Sequence, residues 1–178
     1  GRGTDCPPAF WEASARLTLL DEQGLDFAIM LPTLASLVEE RMRDDPDLCA
    51  AAIHALNTWM LEAWPYTYKD RVFSTPIITP GVLDKAMDEL DFLIDHGAKV
   101  ILMRPAPAWG YQGPRSFALK EFDPYWTKVE EAGLLVVFHA SDTGYVRYTN
   151  EWEGSQTETQ AFAEPQMFSA TVLCRHRE

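Results

Sequence analysis

Two residues stand where apolar runs stop and polar sequence begins. In LMRPAP, Arg104 follows KVILM, and in LLVVFHASDTGY the run closes on His139, with Ser141 and Asp142 just behind it. An imidazole at the end of a buried strand could offer a neutral nitrogen to a divalent metal. The same residue could equally be a hydrogen-bonded histidine of the core or of a loop. Asp142 could accept a hydrogen bond from that imidazole and orient it toward the metal, or simply cap a turn. Arg104 carries a planar fork that fits a substrate carboxylate, and it fits one of the chain's own acids just as well.

Other chemistry finds less support. There is no GxGxxG after a strand, no GxxxxGK[ST], no GxSxG and no HExxH, which argues against dinucleotide, P-loop, serine-hydrolase and zincin sites. Trp109, Tyr111 and Arg115 follow Arg104, and could line a pocket or anchor a loop by packing; Tyr145, Tyr148 and Trp152 carry the same two readings. His54 reads as solvated on the polar side of a helix. His96 lies near a helix C-terminus, where a cation suits the dipole. His176 in CRHRE has Cys174 beside it but no second ligand pair. The acid pairs Glu39-Glu40 and Glu130-Glu131 read as solvated faces.

The elements that must position these residues alternate. FWEASARLTLLDEQG is helical, with Ala13, Leu17 and Leu20 on one face and Gly24 placed to end it. LDFAIML is a short strand stopped by Pro32. In DDPDLCAAAIHALNTWMLEAWP, Asp45 is an N-cap and Pro46 suits the first turn. Leu48, Ala52, Ala55, Leu56, Trp59 and Ala63 mark its expected buried face. RVFSTPIIT is a strand made irregular by Pro76. VLDKAMDELDFLIDHGA is helical through Leu83, Ala86, Met87, Leu90 and Ile94. KVILM is a strand, FDPYWTKVEEAG a short helix and LLVVF a fourth strand. The order αβαβαβαβ, with continuous apolar strands, predicts an α/β fold whose parallel sheet is covered by helices. Ligands of such folds bind at the carboxyl ends of the strands, where Arg104 and His139 stand.

The 178 residues are 47% hydrophobic and 12% aromatic, enough for one packed domain. A formal net charge of −12 would repel a nucleic-acid backbone. No apolar run approaches the roughly 20 residues that span a bilayer, and GRGTDCPP lacks the pattern of a signal peptide. Cys6, Cys49 and Cys174 are too far apart for a zinc knuckle and odd in number, as for free thiols in a reducing cytoplasm. The expected partner is a small-molecule substrate, with neither nucleic acid nor membrane.

LLDEQGLDFAIMLPT, DDPDLCAAAIHALNTWMLEAW, RVFSTPIIT, GAKVILMRPAP and FDPYWTKVEEAGLLVVFHASDTGY together resemble the amidohydrolase-related family of metal-dependent TIM-barrel enzymes. This family includes aminocarboxymuconate semialdehyde decarboxylase and related decarboxylases and hydrolases. The resemblance covers residues 15 to 148. It implies a (β/α)8 barrel with one divalent metal, usually zinc. The implied ligands are an H-x-H or E-x-H pair ending the first strand, a His ending the fifth and an Asp ending the eighth. A His ending the sixth strand is the implied acid/base. Carried over, His139 is the fifth-strand ligand, and LDFAIML, RVFSTPIIT, KVILM and LLVVF are the second to fifth strands.

The chain departs from that pattern at both ends. No H-x-H or E-x-H precedes LDFAIML, and nothing after Trp152 reads as the last three strands. A full barrel takes about 250 residues. The expectation is one incomplete domain, a partial (β/α)8 TIM barrel over residues 1–178 with an unassigned tail at 149–178. It would be inactive alone, and its two open sheet edges invite pairing into a homo-oligomer. The contrasting expectation is a non-catalytic α/β interaction module whose strand-end loops bind a partner.

Overall fold

The computed structural model describes residues 6–32, 37–139, 143–144 and 147–148. Asp142, Ser141, Thr33, Tyr145, Trp152, His176 and the 149–178 tail lie outside them. The helices are α1 (Ala13–Gln23), α2 (Val38–Arg41), α3 (Pro46–Ala63), α4 (Leu83–Asp95) and α5 (Asp123–Glu131). The strands are β1 (Ala28–Met30), β2 (Thr67–Tyr68), β3 (Val72–Ser74), β4 (Val100–Met103), β5 (Ala108–Gly110), β6 (Gly113–Arg115) and β7 (Leu135–Phe138).

The architecture is mixed α/β with parallel strands. β1 pairs with β3 and β4 with β7, both parallel. Pro76 interrupts the ladder after Ser74, and pairing resumes as a parallel bridge between Ile77 and Leu102. Through that bridge the strands run in the order β1, β3, β4, β7. β4 is buried along its whole length. β1 and β7 are partly exposed, Leu135 and Phe138 among their exposed residues. Each of these two has one strand neighbour among the described residues.

Local chemistry sets the helix ends. The Asp45 carboxylate accepts the Leu48 N–H at 3.0 Å and opens α3. Gly24, Gly97 and Gly133 follow α1, α4 and α5 with positive φ, where a Cβ would be strained. The core lies between the sheet, α4 and α5. Ile101 and Met103 of β4 pack there with Leu90, Leu93, Tyr125 and Val129. Leu102, facing the other way as the period of two requires, packs with Ile77, Cys49 and Ile53.

Three expectations need correction. The buried face of α3 is Cys49, Ile53 and Asn57, whereas Leu48, Ala55, Trp59 and Ala63 are exposed. The reason is the break at Pro76. The Asn57 amide donates to the Ile77 carbonyl at 2.7 Å and accepts the Ile77 N–H at 2.9 Å, standing in for a missing ladder partner. The segment around Trp109 is an antiparallel hairpin of β5 and β6 rather than a loop. It lies so close to Gly81 that a Cβ on Gly110 would sit 2.0 Å from the Gly81 carbonyl oxygen. Finally, Glu39 and Glu40 are buried on α2 instead of forming a solvated face, because cations from distant segments converge on them.

Candidate functional site at the strand mouth

Arg104 leaves β4 at its carboxyl end, and its side chain is only 3% exposed. One terminal nitrogen is bonded to the Glu40 carboxylate. The other donates to the Pro107 carbonyl at 3.0 Å, and Nε lies 3.6 Å from Glu39 Oε1. The guanidinium is thus held in an internal ion pair, the second of the two readings that its sequence allowed.

Glu40 gathers more charge. Arg43 Nη1 approaches its Oε1 at 3.4 Å, and Arg147 Nε approaches the same oxygen at 3.3 Å. Arg43 also leans toward exposed Asp44 at 3.8 Å. Gly144, at φ +79°, runs so close that a Cβ there would stand 2.9 Å from Glu40 Oε2. The segment after β7 therefore touches this carboxylate twice, at Gly144 and at Arg147.

Glu39 has a weaker set of partners. The Thr79 hydroxyl donates to its Oε1 at 2.9 Å. Burial pushes its carboxyl up from the ordinary 4.5 to about 7, against the pull of Arg104 and Thr79 and with a further push from Glu40. A buried group that titrates near neutrality at the end of a parallel sheet has the character of a functional site. Burial likewise pushes the Cys49 thiol up to about 12, with Glu39 adding to it. It raises the Tyr125 hydroxyl in the same way.

His139 leaves β7 half-buried, and its backbone N–H donates to the Met103 carbonyl at 3.1 Å. That bond sets His139 and Arg104 side by side along the carboxyl ends of β7 and β4. Among the described residues, no three His, Cys, Asp or Glu side chains come together as a metal would require. One imidazole does not make a zinc site, which takes three or four protein ligands. The donors of the described residues do not fit a closed metal site.

The hairpin supplies the next wall. The Arg147 guanidinium lies 5.9 Å from the centre of the Trp109 ring. Tyr111 donates to Asp47 at 2.5 Å, and Arg115 pairs with Glu121 at 2.8 Å. Trp109 and Thr79 also line a cavity of about 260 Å³ between α3 and α4, floored by Ile53, Ile78 and Val82. His54, beside it, is half-exposed and bonds Glu89 at 2.7 Å. The His96 ring bonds the Phe92 carbonyl at the end of α4, also at 2.7 Å.

Reasoning from sequence missed Glu39, Glu40, Thr79 and Arg147. The one available signal was an acid pair following the first strand, where a parallel fold exposes its site.

A family model described as Amidohydrolase matches residues 5–173. A solved structure of an amidohydrolase from Mycobacterium avium subsp. paratuberculosis K-10 is similar at 38% sequence identity with a TM-score of 0.77. The match covers 82% of this chain and 38% of that one, so this chain spans well under half of that relative's length. No curated protein matches.

Proposed function

This chain belongs to the amidohydrolase family, and we propose that it forms the central part of a metal-dependent hydrolase or decarboxylase acting on a small, carboxylate-bearing substrate. In this reading β1, β3, β4 and β7 are the second to fifth strands of an eight-stranded barrel. His139 is one ligand of a divalent metal, zinc by preference, and the other ligands come from outside the described residues. Asp142 is a candidate to orient that imidazole. Arg104 contributes the positive charge that favours a substrate carboxylate. The enzyme is cytoplasmic, and the outer edges of β1 and β7, each with one strand neighbour among the described residues, are where pairing would complete the sheet or join a second copy.

The observation that carries the reading is the adjacency of His139 and Arg104 at the carboxyl ends of hydrogen-bonded parallel strands. A buried acid pair on the neighbouring α2 adds a proton-carrying group to the same mouth.

The test uses protein expressed from the whole gene. Metal content is measured for wild type and His139→Ala at matched circular dichroism. The reading expects about one zinc per chain in the wild type and its loss in the variant. Equal metal in both proteins would overturn it.

A further inference from the structure

We propose that the cavity between α3 and α4 is a binding site for a small organic cation, an amine carried on a flat apolar body of the size of an arylethylamine. The site draws on neither His139 nor Arg104 and does not depend on the metal reading.

Its shape comes from two helices that run side by side. The cavity is lined from Pro46 to His54 on α3, and on α4 from its N-cap Val82 to Glu89. Two side-chain pairs bridge the helices, Lys85 with Asp47 and Glu89 with His54. From Asp47 to His54 is about 10 Å of helix rise, and from Lys85 to Glu89 about 6 Å. Ala50 on one helix and Ala86 on the other leave the space that longer side chains would fill, and Trp109 and Ile78 supply apolar walls. A cavity of about 150 Å³ takes a benzene ring. The 260 Å³ here takes a ring with a short chain.

The charges select the sign of the ligand. Asp88 and Glu89 line the cavity together with Lys85. Lys85 is engaged by Asp47, which also accepts from Tyr111. Three carboxylates thus stand against one lysine, and two negative charges are left with His54 counted neutral. Glu89 is buried, and its two oxygens are taken by Asn57 and His54, each at 2.7 Å. Asp88 is exposed and, among the described residues, is in no hydrogen bond or ion pair. It is therefore the carboxylate that a ligand can engage. An anion would meet Asp88 and Glu89 as like charges, and a neutral ligand would gain no charge-assisted bond. An ammonium gains one from Asp88, while its apolar body lies against Trp109. The net charge of −12 adds a general attraction for cations.

The test is a calorimetric titration of protein expressed from the whole gene with 2-phenylethylamine, with neutral 2-phenylethanol and with anionic 3-phenylpropanoate. It compares wild type, Asp88→Asn and Ala50→Leu at matched circular dichroism. At neutral pH the wild type should bind one equivalent of the amine at least about tenfold more tightly than the alcohol, with the propanoate weakest. D88N should bring the amine down toward the alcohol and leave the alcohol unchanged. A50L should lose both, because the added side chain fills the cavity. The proposal is overturned if the amine does not bind, if it binds no more tightly than the alcohol, or if either variant binds it like the wild type. Asp88 is exposed, so D88N still decides the matter should A50L fail to fold.

Discussion

Replacing Glu39 by Gln should change how stability depends on pH, in a direction that an ordinary ion pair would not give. Glu39 is buried, and its carboxyl is raised from 4.5 to about 7, chiefly by burial. A carboxyl raised on folding favours the folded state most at pH values below its unfolded pKa. That contribution fades as pH rises through the folded pKa. The window is therefore 4.5 to about 7. At about 1.4 kcal/mol per pH unit, the wild type loses on the order of 3 kcal/mol across it. Gln keeps an acceptor for Thr79 and never ionises. E39Q should match the wild type near pH 4 and exceed it by up to about 3 kcal/mol at pH 8. With a urea slope of about 2 kcal/mol per molar, the midpoints should part by about 1.5 M at pH 8. Groups that titrate in both proteins cancel in the comparison. Arg104, Glu40 and Thr79, which face the carboxyl, are unchanged. Parallel urea profiles with E39Q the weaker at every pH would refute the reasoning, because they would mean that Glu39 is ionised and paired with Arg104 throughout.

Asn57→Ala should destabilise the fold by about 4 kcal/mol, since it removes two bonds to the Ile77 backbone and one to the Glu89 carboxylate; a urea-midpoint loss below about 1 kcal/mol would contradict the role given to Asn57. Thiol labelling at pH 8 should separate exposed Cys6, modified within the mixing period, from buried Cys49, modified only on unfolding. Gly144→Ala should cost about 1–2 kcal/mol through positive φ and the approach to Glu40, and E40A, which removes the crowding atoms, should reduce that cost; an unchanged cost in the double variant would uncouple the two residues.

The alternation of helices and parallel strands was legible because each boundary carries its own chemistry. Asp45 opens α3 through a bond to a residue three places away, and Gly24, Gly97 and Gly133 close helices by their own φ. The inward turn of Asn57 was not legible. It depends on a ladder broken at Pro76, 19 residues on, and Leu48 and Trp59 made a more apolar stripe on the wrong face. Glu39 and Glu40 gave a stronger version of the same difficulty. Their burial is decided by Arg104, 64 residues from Glu40, and by Arg147, 107 residues away. The hairpin of β5 and β6 escaped because two three-residue strands are too short to show alternation. His139 and Arg104 were singled out for a general reason: parallel sheets present chemistry where apolar runs end.

The role of His139 is the central claim, and anomalous diffraction at the zinc edge tests it most directly. Crystals of the protein expressed from the whole gene should show a peak about 2.0–2.1 Å from a ring nitrogen of His139, at the carboxyl ends of β4 and β7. A metal peak elsewhere in the fold, or a His139 ring buried among helix residues with no peak beside it, would contradict the account.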